Sequence, residues 1–340
     1  MATCSIRKTP AAVHRPHRPL PEGKRSSASG SADKGPAAVL KRHPPSPKGE
    51  RGGLTDPVLS IQAFRRKIWA HYRAAGRAMP WRETRDPYRI LVSEVMLQQT
   101  QVDRVRPKYD EFLAAFPDLV ALAASPLARL LSVWRGLGYN RRALNLQRAA
   151  RQILERHGGH LPDDAAALVA LPGIGAATAA SIRAFAFDAP VVFIETNIRR
   201  VFIHEFFPGR EAVADAELLP LVAATLARRR PREWYYALMD YGAALARRVP
   251  NPNRRSRSWT RQGRFEGSDR QIRGEVLRRL LDGGPAAPGA LAARIAKSLG
   301  ADAARVRLLL ADLEREGFVR REGRRVLIAG QGGRKGRALA

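Results

Sequence analysis

The stretch "LPGIGAATAASI", residues 171–182, decides the fold. It reads as the end of one helix, a Gly-x-Gly turn and a second helix built from small residues. Gly173 and Gly175 let the backbone turn sharply and approach another surface closely. Free N–H groups at the start of the second helix then face outward, where a phosphate oxygen can accept them. A glycine turn between packed helices is also common as a plain connector, so its meaning depends on what surrounds it.

The surroundings are helical on both sides. From Ser60 to about Tyr241 apolar residues recur at helical spacing. "IQAFRRKIWAHYRAAG" ends at a glycine stop, and "PYRILVSEVMLQQ" starts with Pro87 in a first turn. Further helices are predicted over 102–116, 126–135, 140–157, 164–170, 176–187, 196–207, 214–229 and 231–246. Strand alternation is nearly absent, which predicts an all-α domain over 56–246. The basic, proline-broken run "RRVPNPNRRSRSWTRQGRF" then reads as an irregular loop over 247–267, packed by Trp259 and Phe265. From 268 to 330 three helical segments precede "FVRREGRRVLI", which alternates around Glu322 and Gly323 as a short hairpin would. Three helices and a hairpin predict a winged-helix-like domain. Residues 1–55 and 331–340 read as disordered tails.

Charge narrows the partner. The 340 residues hold 60 Lys plus Arg against 31 Asp plus Glu, a formal net charge of +29. A polyanion, most often nucleic acid, is the expected partner of such an excess, although solubility or an arginine-rich coding bias accounts for part of it. The one cysteine, Cys4, excludes a disulfide framework or a cysteine-ligated metal site within one chain. No apolar run reaches the length of a membrane span. The basic, acid-poor N-terminal tail has the composition of a transit peptide but no clear amphipathic face, which favours a loose DNA-contacting arm. A cytoplasmic, nucleoid-associated monomer is expected.

"PWRETRDPYRILVSEVMLQQTQV", "WRGLGYNRRALNL", "LPGIGAATAASI" and "ETNIRRV" occur in an order and spacing that resembles the helix-hairpin-helix DNA glycosylases, most of all the adenine glycosylases of the MutY type. The resemblance covers roughly residues 60–245. It implies a two-lobed all-α fold with double-stranded DNA, carrying a mismatched or damaged base, bound across the cleft and gripped by the hairpin. In that frame Glu94 projects into the base pocket as the general acid. A carboxylic acid with a raised pKa in a desolvated pocket can protonate a departing base. Its neighbours Ile90, Leu91, Val95 and Leu97 make a semi-buried position more plausible than a solvated one.

The resemblance also assigns DNA contacts. Gln98 and Gln99 face the base stack, Gln99 fills the space of the flipped base, and Tyr139 wedges on the other side, unless it is an ordinary core aromatic. Leu171, Gly173, Gly175, Ala176 and Thr178 of the hairpin, with Arg254 and Arg255 of the basic loop, approach the backbone. Glu195 stands where the family has an aspartate that stabilises the sugar cation; alternatively it only favours the dipole of the following helix. Ala177 stands where bifunctional relatives carry a Schiff-base lysine, which implies a monofunctional enzyme. The four cysteines of the family's iron–sulfur cluster align with Ala246, Asn253, Ser256 and Gln262, so no cluster and no other cofactor is expected. The usual C-terminal domain that reads 8-oxoguanine is replaced by the winged-helix-like unit. Adenine in a mismatch is therefore the leading substrate, with a deaminated or modified base (uracil, thymine or hypoxanthine) or a catalytically silent DNA-binding protein as alternatives.

Overall fold

A computed structural model describes residues 60–330; the expected terminal tails and Cys4 lie outside them. Eleven helices form the first part: α1 (Ile61–Ala75), α2 (Pro87–Leu97), α3 (Val102–Ala115), α4 (Leu119–Ala124), α5 (Leu127–Val133), α6 (Arg141–Arg156), α7 (Ala165–Val169), α8 (Ala176–Ala186), α9 (Thr196–Phe206), α10 (Asp215–Thr225) and α11 (Pro231–Arg248). Their starts follow from local chemistry. Ser60 accepts from Ala63 N–H at the head of α1, while Asp86 accepts from the N–H groups of Tyr88 and Arg89 with Pro87 at the first position of α2. The glycine stop after α1 works by close approach: a Cβ on Gly76 would lie 2.7 Å from the Tyr72 carbonyl oxygen. Helix α4 lies outside the predicted segments. It has six residues, too few for a periodic signal, and is set by the Asp118 cap.

The helices make two lobes around two apolar cores. One gathers Phe64, Ile68, Ile198, Phe202, Trp234 and Leu238 from α1, α9 and α11. The other gathers Leu91, Phe112, Leu130, Trp134, Leu146 and Ile153 from α2 to α6. Helices α2 and α8 serve both. On α2, Ile90 faces the first core and Leu91, Val92 and Val95 the second; on α8, Phe185 faces the first and Ala179 and Ile182 the second. A side chain at the seam of those two helices therefore sits between the lobes.

An ionic network ties the segment between α1 and α2 to α11. Asp240 of α11 accepts both guanidinium N–H groups of Arg82 at 2.8 Å, and Arg77 through its backbone N–H at 2.9 Å and its Nε at 2.7 Å. Burial alone would raise the Asp240 pKa, but Arg82 and Arg77 hold it below the usual carboxylate range.

The C-terminal part comprises α12 (Asp269–Gly283), α13 (Pro288–Leu299), α14 (Ala303–Glu316), β1 (Val319–Glu322) and β2 (Arg325–Ile328). The strands pair antiparallel with Glu322 opposite Arg325, so the turn is Gly323-Arg324, with Gly323 at φ 58°. Ala286 bridges to Val326 on the other edge of β2. Val326, Leu327 and Ile328 are all buried rather than alternating. The whole is a predominantly α-helical fold with a winged-helix-like element at its end. That element continues the second core through Leu277, Leu313 and Phe318. It is also tied to α6 and the segment before it by Arg141–Glu316 at 2.5 Å and Arg135–Asp282 at 2.6 Å.

Candidate active site

Glu94 lies near the end of α2, at the seam against α8. Its helix neighbours Ser93 and Val95 are buried, and its carboxylate opens onto a cavity of about 290 Å³ between the lobes. Trp81, Arg82, Ser181, Glu195 and Tyr236 line the same cavity. Ser181 of α8 donates its hydroxyl to Glu94 Oε2 at 2.5 Å, and the Thr178 carbonyl lies 3.0 Å from the same hydroxyl. Burial pushes the Glu94 pKa up to about 7, opposed by the Ser181 hydrogen bond, with the Glu195 charge raising it and Arg82 lowering it. The carboxyl is thus half protonated near neutrality.

Glu195 is the N-cap of α9. Its Oε1 accepts from the N–H groups of Asn197 and Ile198, each at 2.8 Å, and its Oε2 from Asn197 Nδ2 at 3.2 Å. Burial raises its pKa, and these hydrogen bonds and Arg200 oppose that rise. The cap and the cavity position coexist: one carboxylate both heads α9 and lines Glu94's cavity. No lysine lines this cavity, and Ala177 stands at its mouth.

A sequence profile described as the HhH-GPD superfamily base excision DNA repair protein matches residues 92–218. An adenine DNA glycosylase of Mycolicibacterium smegmatis is 36% identical over 242 residues, covering 66% of this chain and 82% of that protein. One of Mycobacterium tuberculosis is 35% identical over 232 residues, covering 62% of this chain and 76% of that protein. The chain belongs to the HhH-GPD superfamily. DNA N-glycosylase chemistry in base excision repair follows from that membership. Among solved structures, a thermostable thymine-DNA glycosylase is similar with a TM-score of 0.49 and 27% identity, over 54% of this chain and 86% of that one.

The stretch "LPGIGAATAASI" forms a helical hairpin of α7, the turn 170–175 and α8. Gly173 has φ 81°, and a Cβ there would lie 2.9 Å from Asn145 Cβ, so both its backbone angle and its surroundings require glycine. Gly175 differs. Its φ of −86° suits any residue and nothing stands within 4 Å of its Cβ position, so the turn itself does not require glycine there. Open space at the head of α8 is what it leaves, beside exposed Ala176 and half-buried Thr178.

Gln98 turns inward to the hairpin, its Nε2 donating to Thr178 Oγ1 at 3.2 Å. Gln99 is exposed at φ 54°, and Tyr139 is half-buried at φ 47°; it is not a core aromatic. Both line a second cavity of about 390 Å³, separated from Glu94's by the Gln98-Gln99 corner. Arg142 fixes that corner, a residue the sequence reading missed. Its Nη1 donates to the carbonyls of Val95, Met96 and Gln98 at 2.9, 2.8 and 2.6 Å. Burial pushes its pKa down to about 10. Ser181 was missed as well, since a serine in a small-residue helix carries no sequence signal of its partner.

Two residues expected at the DNA turn toward the protein instead. The Leu171 side chain is 2% exposed in the second core, and its N–H already donates to the Leu168 carbonyl at 3.1 Å. Arg255 points back into the protein, donating to the carbonyls of Ile203 and Phe207 at the end of α9. Arg254 remains exposed. Trp259 and Phe265 do not pack the basic loop either: they are 41% and 58% exposed. Hydrogen bonds hold the loop instead, through a backbone bridge between Val213 and Ser256 and through Asn253 Nδ2, which donates to the Thr196 carbonyl at 3.0 Å.

The residues at the family's cluster positions do not fit an iron–sulfur group. Ala246 is exposed, Asn253 and Ser256 are buried amide and hydroxyl, and Gln262 donates to the Tyr139 hydroxyl. Iron–sulfur clusters of this kind need four thiolates, and the chain has one cysteine. Among the described residues no group of three or more His, Cys, Asp or Glu side chains is placed to hold a metal ion. No described helix is long and apolar enough to cross a membrane.

Proposed function

We propose that this DNA N-glycosylase is monofunctional and releases a flipped adenine from a mismatched duplex. The observation that carries the proposal is the pairing of Glu94 and Glu195 in the lining of one cavity, where burial raises the Glu94 pKa to about 7. Neutral Glu94 gives its proton to a ring nitrogen of the base as the bond to C1′ breaks and its electron pair passes to the base. Glu195, fixed by its capping hydrogen bonds, supplies negative charge for the sugar cation. Water then adds to C1′ and its proton passes to the Glu94 carboxylate, leaving an abasic sugar and restoring the acid. With alanine at 177 and no lysine lining the cavity, no imine forms and the strand stays intact.

Binding follows the same geometry. The first N–H groups of α8 have no side-chain cap, and Gly175 leaves room for a phosphate oxygen against them. Gln99 and Tyr139 stand on the DNA side as the residues that replace and wedge the flipped base. Adenine is chosen because the relatives that match most of their own length are adenine DNA glycosylases.

End-labelled duplexes test this directly: adenine opposite guanine, 8-oxoguanine or cytosine, and uracil, thymine or hypoxanthine opposite guanine. Each is split between hot alkali and no treatment. Cleavage at adenine that needs alkali and is lost in Glu94→Gln is expected. Alkali-independent nicking would refute the monofunctional assignment, and cleavage at another base would replace adenine.

A further inference from the structure

Tyr139 holds a backbone conformation that side chains rarely adopt, at φ 47°, next to Gly138 at φ 70°. An aromatic residue in that region stays there only where its surroundings fix it. The backbone is fixed from within the lobe: Trp134 Nε1 donates to the Gly138 carbonyl at 3.0 Å, and Arg142 Nη2 donates to it at 3.1 Å. The phenol is fixed from elsewhere. Its oxygen accepts from Arg270 Nη1 at 2.6 Å and from Gln262 Nε2. The Arg270 guanidinium also lies 5.4 Å from the ring centroid.

Both donors lie more than 100 residues along the chain, Gln262 in the basic loop and Arg270 at the start of α12. Arg270 is itself held by the Gly263 carbonyl at 3.0 Å. Helix α12, on which it sits, is locked to the first part through Arg273–Glu316 at 2.6 Å and Arg141–Glu316 at 2.5 Å. The winged-helix-like unit is thus docked beside the Gln99–Tyr139 corner. The Arg270 guanidinium lies between the Tyr139 ring and that of Phe265, 5.9 Å from the latter's centroid, and of the two is bonded to the phenol alone.

We propose that Arg270, with Gln262, is a positioning residue that holds Tyr139 in the orientation from which its ring enters the base stack, so that the C-terminal unit takes part in base flipping. The proposal rests on Tyr139 being the wedge. A side chain fixed before binding loses less freedom on insertion, so the gain appears in the flipping step rather than in encounter with DNA. An arginine meant for a phosphate behaves differently: its loss weakens binding to all sequences and lowers the salt dependence.

The test uses the full chain and a duplex with 2-aminopurine beside the target base, read by stopped-flow fluorescence. Tyr139→Ala, Tyr139→Phe, Arg270→Ala and the double Arg270→Ala/Tyr139→Phe variant are compared, with thermal melts to verify folding. Tyr139→Ala should slow flipping most. Arg270→Ala and Tyr139→Phe should each slow it by about tenfold, and the double variant should be no slower than Tyr139→Phe, which already removes the hydrogen bonds of both Arg270 and Gln262. The salt slope of binding should be unchanged in Arg270→Ala. Additive losses, or a slope reduced by about one, would overturn the proposal in favour of a direct DNA contact or a merely structural role. Faster flipping in Arg270→Ala would also overturn it and mark the contact as an inhibitory clasp. If Tyr139→Ala flips normally, the wedge assignment itself fails, a result distinct from failure at Arg270 alone.

Discussion

Glu94 was legible as an acid amid apolar neighbours, but the hydroxyl that governs it was not. Ser181 lies 87 residues away, and only the packing of α2 on α8 brings the two together. Because Ser181 donates to the carboxylate, it favours the ionised form. Ser181→Ala should therefore raise the Glu94 pKa further, moving the alkaline limb of the base-release profile up by about one pH unit while lowering the plateau rate. A limb that stays in place would remove Ser181 from the account. Stability follows from the same shift. The folded pKa of about 7 exceeds the ordinary value of 4.5, so the folded state binds more protons. The contribution is full below the ordinary value and is lost as pH rises through about 7, a change on the order of 3 kcal/mol. Glu94→Gln, inactive, should thus melt above the parent protein at about pH 8 and with it at about pH 5. Differential scanning calorimetry at both values checks the sign.

At the scale of elements, periodicity and caps placed ten of the eleven helices of the first part, because apolar spacing and capping residues are local. The hairpin glycines were legible as a pair, yet their reasons differ. Gly173→Ala meets both a left-handed backbone and the Asn145 side chain, and should cost about 1–3 kcal/mol in a denaturation experiment. Gly175→Ala meets neither, and should leave stability within about 0.5 kcal/mol while weakening duplex binding measured by fluorescence anisotropy. Normal affinity in Gly175→Ala would move the phosphate away from α8. The basic loop was legible only in part, with Arg254 exposed as expected of a free arginine. Arginine composition suggested phosphate contact, but Arg255 serves the carbonyls that end α9, a role fixed by a chain reversal that composition does not encode.

Across the whole molecule, the two lobes and the class of partner could be anticipated from motif order and a net charge of +29. How the C-terminal unit docks could not, since Arg270 and Tyr139 are 131 residues apart and neither position is apolar-periodic. What the assembled molecule provides is a cavity between the lobes in which burial raises the pKa of one carboxyl to about 7 beside another that is fixed by its cap. The most direct measurement is the single-turnover rate of base release from an adenine-mismatch duplex between about pH 5 and about pH 9, for the parent and Glu94→Gln. Because the proton donor must be protonated, the rate should be level below about pH 7 and fall above it by about tenfold per unit, with Glu94→Gln near background throughout. A rate that is flat across the range, or a Glu94→Gln variant as active as the parent, would contradict Glu94 as the acid.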